Sequence, residues 1–391
     1  MAPSRIYLDH NATTSLDPAV RAAMEPWLGG GGNPSAIHAE GRRARAALDT
    51  ARDRAAALLK AKPGEIVFTS GGTEGNNLAL RGLARARVSQ SGRGAPVPRR
   101  IVTAATEHHA VLETCTALRD EEGFALEIVP VEASGRLDPA RLAEALKPGA
   151  ALVTAMTANN ETGVLHPVAE IAALARAQGI PFHTDAVQSA GKEPLPTELG
   201  LPVATMALAA HKFYGPLGAG LLYIELGLPL VPFLRGGTQE NQRRPGTENV
   251  AAAVGLVEAL ALAHERREAE HAREAALVAR LWEALRALPG IRRNGAGKAT
   301  LANTLNVSFS GGLDGENLLI SLDLEGLALS SGSACMVGAV KPSHVLLAMG
   351  LPEAEARAVL RFSLGRGTTE AEIDEAARRV VAVVARQLKG R

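Results

Sequence analysis

Cys335 sits in the stretch LSSGSACMVG, Leu329 to Gly338, and is one of only two cysteines in the chain. A thiol that merely packs belongs in an apolar periodic run. This one lies among serines, glycines and alanine, in a loop that reads as able to move, where a thiolate can act as a nucleophile. Cys115, in the helical stretch HAVLETCTAL, fits the packing reading and carries no expected role.

Lysine gives the second candidate. Most of the eight lysines sit in charged helices or beside Pro or Gly and read as solvated; Lys212 instead follows the apolar VATMALAA and precedes FYGPLGAG. Burial at a strand end lowers an amine's pKa and makes it nucleophilic, which covalent attachment of a carbonyl cofactor requires. Taken alone, Lys212 is better read as a lysine snorkelling from a strand end. Asp185 in PFHTDAVQ could hold a proton on a pyridine nitrogen, or simply cap a helix. His108 in ATEHHAV could stack on a flat ring or shuttle a proton, or it too could be a cap. In FTSGGTEGNN, Gly72 and Thr73 open a helix directly behind a strand. That turn can cradle a phosphate, though Thr73 could be no more than an N-cap. Its spacing matches neither a dinucleotide fingerprint nor a Walker loop. Asn160 in TANNETG completes the set.

The elements that must position these residues alternate. Strand-like EIVFTS, RIVTAA, ALEIVPV, ALVTAMT and PFHTDA are separated by helical stretches, among them HAVLETCTALRDE, PARLAEALK and VAEIAALARAQG. Short apolar strands alternating with amphipathic helices predict an α/β fold, a mostly parallel sheet covered by helices on both faces. From Val250 to Leu288 a long Ala/Leu/Glu/Arg segment runs without a strand. It leads to LANTLNVSFSG, a helix near Glu316 to Leu322 and a last helix from Glu370 to Leu388. The expected division is a large domain over residues 15–255 and a smaller α+β domain built from 1–14 and 256–391, which carries Cys335.

Composition narrows the function classes. The 391 residues are 46% hydrophobic and 21% charged with a formal net charge of +1, so bulk electrostatics favour neither nucleic acid nor an anionic membrane. Two cysteines make no disulfide framework and no four-thiolate metal site. With no signal-peptide pattern at the start and no apolar run of membrane-spanning length, the expectation is a soluble, cytoplasmic protein with no bound metal.

Thr73, His108, Asn160, Asp185 and Lys212 all fall just past the carboxyl ends of predicted strands, the edge where open parallel sheets bind ligands. A phosphate cradle, a stacking histidine, a nitrogen-binding carboxylate and a desolvated lysine together describe a site for pyridoxal phosphate. The motifs YLDHNATT, GNPSAIH, EIVFTSGGTEGNN, TEHHAVL, NNETG, HTDAVQSAGK, HKFYGPLGAG, RRPGTEN, SSGSAC and RFSLGR follow one another from end to end. In this order they resemble the cysteine desulfurases, of the class V aminotransferase group.

The resemblance implies a fold-type I pyridoxal-phosphate enzyme that converts L-cysteine to L-alanine and passes the sulfur, as a persulfide on Cys335, to an acceptor protein. A selenocysteine lyase or another class V enzyme is the nearest alternative, and a non-catalytic partner subunit a distant one. The resemblance further implies that Lys212 holds the cofactor covalently, that His108 stacks on its ring, that Asp185 meets the pyridine nitrogen and that Gln188 meets the ring oxygen. Gly72, Thr73 and His211 would bind the phosphate, with Thr247 reaching that of a second subunit in a homodimer. Asn160, Arg361 and Asn33 would hold the substrate. The acceptor stays open between an iron–sulfur scaffold, a tRNA-modifying protein and a dedicated pathway. The chain departs from the family at Ala209, where a phosphate-binding serine is usual, and in the apolar MVGAVKPSH after Cys335.

Overall fold

The structure is a computed structural model that describes residues 5–30, 32–89, 98–295, 299–332 and 341–389. Strand β1 (Ile6–Tyr7) precedes two helices, α1 (Pro18–Leu28) and α2 (Ala39–Leu58). Each starts where a cap allows it. Asp17 accepts from Ala19 N with proline next in line, and the His38 ring accepts from Gly41 N. The alternating section follows as β2 (Ile66–Thr69), α3 (Gly72–Ser89), β3 (Arg100–Ala104), α4 (His109–Glu122), β4 (Ala125–Val129), α5 (Pro139–Leu146), β5 (Leu152–Thr154), α6 (Val168–Ala177), β6 (Phe182–Asp185), β7 (Thr205–Ala209) and β8 (Gly220–Ile224).

Strands β2 to β8 form one sheet of seven in the order β2-β8-β7-β6-β5-β3-β4. Only β8 runs against its neighbours, β2 and β7; the β3, β4, β5, β6 and β7 pairings are parallel. Strands β2, β5, β6, β7 and β8 are buried throughout, as a sheet covered on both faces demands. The antiparallel β8 is not marked by sequence pattern, because GLLYI is a short apolar run next to a glycine-rich turn. Gly220 within it is sterically required: a Cβ there would lie 2.5 Å from Gly71 Cα, so its absence lets the end of β2 close against β8.

The second section comprises α7 (Val250–Leu285), β9 (Ile291–Asn294), β10 (Thr304–Phe309), α8 (Gly315–Leu324), β11 (Leu327–Ala328), α9 (His344–Ala348), α10 (Glu353–Arg357), β12 (Val359–Ser363) and α11 (Glu370–Lys389). Strands β12, β10 and β9 make a three-stranded antiparallel sheet, and β1 pairs in parallel with β11. One helix joins the two largest apolar cores among the described residues. Helix α7 serves both, placing Leu256, Val257 and Leu260 in the core under the large sheet and Leu277, Leu281 and Leu285 in the core that also holds Ile6, Leu305, Leu360 and Phe362. At about 1.5 Å per residue a helix of 36 residues spans roughly 54 Å, enough to join the two. Among the described residues, no helix is long and apolar enough to cross a membrane.

Candidate active site

A cavity of about 350 Å³ opens at the carboxyl edge of the large sheet. Gly72 and Thr73 reach it from the first turn of α3, His108 from the residue capping α4, and Asp185 from the end of β6. Gln188 enters from the turn after β6, and His211 and Lys212 from the single helical turn after β7. Asn160 comes from the loop after β5, and Arg361, on β12, closes the side toward the smaller sheet. The structure thus brings these nine residues, predicted from separate motifs, around one space.

Lys212 Nζ donates to the carbonyls of Asn11 (2.8 Å) and Ala12 (2.7 Å). Burial, reinforced by the Arg361 charge and opposed by Asp185 and Asp9, brings its pKa down from 10.5 to about 8. The N-terminal segment fixes the surrounding backbone. Thr14 N donates to His211 O (2.8 Å), Thr14 Oγ1 accepts from Tyr214 N (2.7 Å), and Thr13 Oγ1 lies 3.1 Å from His211 Nδ1. Burial, followed by the Lys212 charge, pushes His211 down to about 4, so its ring is neutral.

Asp185 is buried and doubly anchored. Its Oδ1 accepts from Val187 N (2.9 Å) and its Oδ2 from Asn76 Nδ2 (2.6 Å). Asn76 Oδ1 faces His183 Nε2 at 3.0 Å, and His183 Nδ1 faces Thr205 Oγ1 at 2.8 Å. Burial pushes His183 down to about 3, which keeps the ring neutral. Since Asn76 Oδ1 can only accept, Nε2 carries the His183 proton. The chain of bonds therefore points a fixed N–H donor at the carboxylate. Glu107 lies nearby, fully buried, with Oε2 unpartnered among the described residues and Oε1 accepting from Met156 N. Burial, and then the Asp185 charge, raise its pKa well above the usual carboxylate range.

His108 meets both of its readings. Its Nδ1 accepts from Ala110 N (3.0 Å) as the α4 cap, and the ring also lines the cavity. Arg361 is 3% exposed; it donates to Asp9 Oδ1 (2.5 Å) and to Asn160 O (3.0 Å), while its Nε has no acceptor among the described residues. Part of the guanidinium fork thus stays available to an anion in the cavity.

Two expected residues lie elsewhere. Thr247 is exposed and lines a separate groove with Ser70, Gly218 and Asn249. Asn33 is exposed on the α1–α2 connection, where its Oδ1 accepts from Ser35 N (2.9 Å), and it does not reach the cavity of its own chain. Cys335 falls outside the described residues. Cys115 is fully buried among Leu80, Leu83 and Leu118, and burial raises its thiol pKa far above the ordinary value, as suits a packing thiol.

Sequence reasoning missed Asn11, Asn76 and His183, and read Lys192 wrongly. His183 was findable, since it stands two residues before Asp185 and shares its face of β6. Lys192 is the correction. It is not a solvated lysine beside a glycine. It is half-buried behind the cavity, with Nζ donating to Gln188 Oε1 (3.1 Å) and Asn11 Oδ1 (3.4 Å). The turn after β6 directs it inward, an effect of tertiary packing that residue type does not reveal.

The residues present fit pyridoxal phosphate. Helix α3 presents first-turn amides that have no acceptor within the helix. The wall there is tight, since a Cβ on Gly72 would meet Val187 Cγ2 at 2.6 Å. A carboxylate and a desolvated amine face the same space. The comparisons agree. A family model described as aminotransferase class-V matches residues 6–376. "Cysteine desulfurase IscS" of Dictyoglomus turgidum is 42% identical over 372 residues, covering 94% of this chain and 92% of that protein. "Putative cysteine desulfurase IscS 1" of Bacillus subtilis is 42% identical, covering 98% and 99%. Among solved structures, a "NifS-like protein" superposes with a TM-score of 0.89 at 34% identity, covering 97% of this chain and 99% of its own. "SspA in complex with cysteine" reaches 0.78 at 35% identity, covering 92% and 98%. The chain belongs to the class-V aminotransferases, a pyridoxal-phosphate-dependent family, in the group that its cysteine desulfurase relatives form.

Proposed function

We propose that this chain is a pyridoxal-phosphate-dependent cysteine desulfurase. The observation that carries the reading is the single cavity in which Lys212, Asp185, His108 and Arg361 converge, in a chain whose curated relatives are cysteine desulfurases. In the proposed roles, Lys212 holds the cofactor and His108 covers its ring. Asp185, oriented by Asn76, keeps the pyridine nitrogen protonated, and Gln188 donates to the ring oxygen. Gly72, Thr73 and His211 surround the phosphate. Bound pyridoxal phosphate supplies an electron sink for the carbon centres of the substrate.

Arg361 and Asn160 hold the carboxylate of L-cysteine, aided on the Arg361 side by the Nε–H that has no acceptor among the described residues. Lys212 Nζ, its pKa lowered to about 8, moves the proton at the substrate's Cα. The Cβ–S bond breaks with its electron pair left on carbon, which is protonated to give L-alanine. The sulfur forms an S–S bond to Cys335 Sγ. Cysteine and one protein thiol thus become alanine and one persulfide, with no further reactant. An acceptor protein then takes the sulfur. Residues 15–255 form the cofactor-binding part, and residues 1–14 with 256–391 the part that carries Cys335. Thr247, exposed outside the cavity of its own chain, serves the phosphate site of a second copy in a homodimer, and Asn33 the substrate. The sparse cysteine content fits the cytoplasm. The test is incubation of the loaded protein with L-cysteine. Alanine and sulfide should form in equal amounts when a thiol reductant is present, and no alanine from L-cysteine would overturn the reading.

A further inference from the structure

No step of the reaction above uses Lys192, yet it touches the cavity wall at its most selective point. Residues 188 and 192 are one turn apart. Ala190 N bonds Ala186 O (3.0 Å) and Lys192 N bonds Ser189 O (2.9 Å), so the two side chains share a face. Lys192 Nζ donates to Gln188 Oε1 at 3.1 Å. On the opposite side of the same amide, Gln188 Nε2 donates to the Asn11 carbonyl at 2.9 Å. That carbonyl also accepts from Lys212 Nζ at 2.8 Å, which places Nε2 on the Lys212 side of the wall. A backbone carbonyl only accepts and a lysine ammonium only donates, so the two fix the amide in one of its two flips, oxygen inward and NH2 toward the cavity. The second N–H of Nε2 has no acceptor among the described residues.

We propose that Lys192 is a positioning residue that locks the Gln188 amide with an N–H turned toward the ring oxygen of the cofactor, so that this oxygen is held as an anion. The inference rests on the cofactor placement proposed above. Three charged groups set the environment of the pair. Burial lowers the Lys192 pKa, the Glu274 carboxylate of α7 opposes this, and the Lys212 and Arg361 charges add to it. While charged, the amine can only donate to Oε1; once neutral it can also accept, and the Asn11 carbonyl alone then selects the flip.

The test uses the loaded enzyme and reads the pH midpoint of the cofactor's visible absorbance change, in parent, Lys192→Met, Lys192→Arg, Gln188→Ala and the double variant Lys192→Met/Gln188→Ala. Lys192→Met should raise the midpoint by about one pH unit, a tenfold change in the acid constant. Lys192→Arg, which keeps a donor, should stay within about 0.3 of the parent. In the Gln188→Ala background the Lys192→Met shift should fall below about half. Equal shifts in both backgrounds would mean that the lysine acts by charge alone, and a lowered Tm with an unmoved midpoint would mean that it only packs. Either result overturns the proposal. Should Lys192→Met not fold, Lys192→Leu, uncharged and without a donor, serves the same comparison. A parent protein with no titrating visible absorbance would instead remove the cofactor site beneath this inference.

Discussion

The two walls of the cavity are built on different principles. Gly72, His108, Asp185 and Lys212 each stand where a strand of the large sheet ends, so one topological rule places all four. The opposite wall depends on individual long-range contacts. Arg361 on β12 is held by Asp9 Oδ1 at 2.5 Å and by Asn160 O at 3.0 Å, partners far from it in sequence. The first wall is backed by the main apolar core and redundantly bonded. The second stands on one buried ion pair between the N-terminal segment and the smaller sheet, where losing either partner leaves an uncompensated charge. Changes on the sheet wall should therefore alter chemistry while the architecture survives, and changes on the other wall should alter substrate affinity.

The largest effect belongs to the sheet wall. Lys212→Ala should cut alanine formation by at least about 10²-fold, the lower end of what a positioned acid–base group supplies, while circular dichroism stays unchanged. Borohydride reduction of the parent should fix the cofactor on the Lys212 peptide, and cofactor mapped to any other lysine would break the assignment. On the opposite wall, Arg361→Lys replaces a planar fork with a point charge. Losing one charge-assisted hydrogen bond of about 1.5–3 kcal/mol should raise KM for L-cysteine about 10- to 150-fold with cofactor content unaltered. An unchanged KM with a fallen kcat would erase the difference between the walls.

A third prediction concerns pH. The Lys212 amine is depressed from 10.5 to about 8, so above about 8 it is unprotonated and nucleophilic, and below that it is protonated. The rate at which apoprotein takes up pyridoxal phosphate should fall about tenfold per pH unit below 8 and level off above it. A rate still climbing toward pH 10 would show an ordinary, solvated lysine. The smallest effect is expected at Ala209, which packs beside Gly72, the position of a Gly72 Cβ being 3.7 Å from Ala209 Cβ. Ala209→Ser adds a hydroxyl where the α3 amides already serve an anion. It should slow cofactor release by less than about tenfold, measured by dialysis against a competing carbonyl reagent, and faster release would mean that the wall is fitted to alanine.

The same contrast explains what the sequence disclosed. The parallel section was legible because its strands are short runs rich in apolar residues between amphipathic helices, and its ligand edge follows from topology. Lys212, Asp185 and His108 could be placed without knowing a single contact. Strand β12 was not legible, because Val359 to Ser363 is short and carries Arg361, whose burial makes sense only once Asp9 lies beside it. Lys192 was misread for a related reason, since its partners Gln188 and Asn11 come together only when the N-terminal segment folds across the end of the sheet. Asn76 lies inside an amphipathic helix and shows its purpose only through Asp185. Chemistry set by topology can be read from the chain, whereas chemistry set by one side chain meeting another across it becomes visible only in the fold.

The most direct test of the central claim, that this cavity strips sulfur from L-cysteine and hands it to the thiol at 335, is a single turnover with equimolar L-cysteine followed by mass mapping of the two cysteine peptides. The peptide of Cys335 should gain the mass of one sulfur atom for each alanine released, and the peptide of Cys115 should gain none. Full release of alanine with Cys335 unmodified, or sulfur found on Cys115, would contradict it.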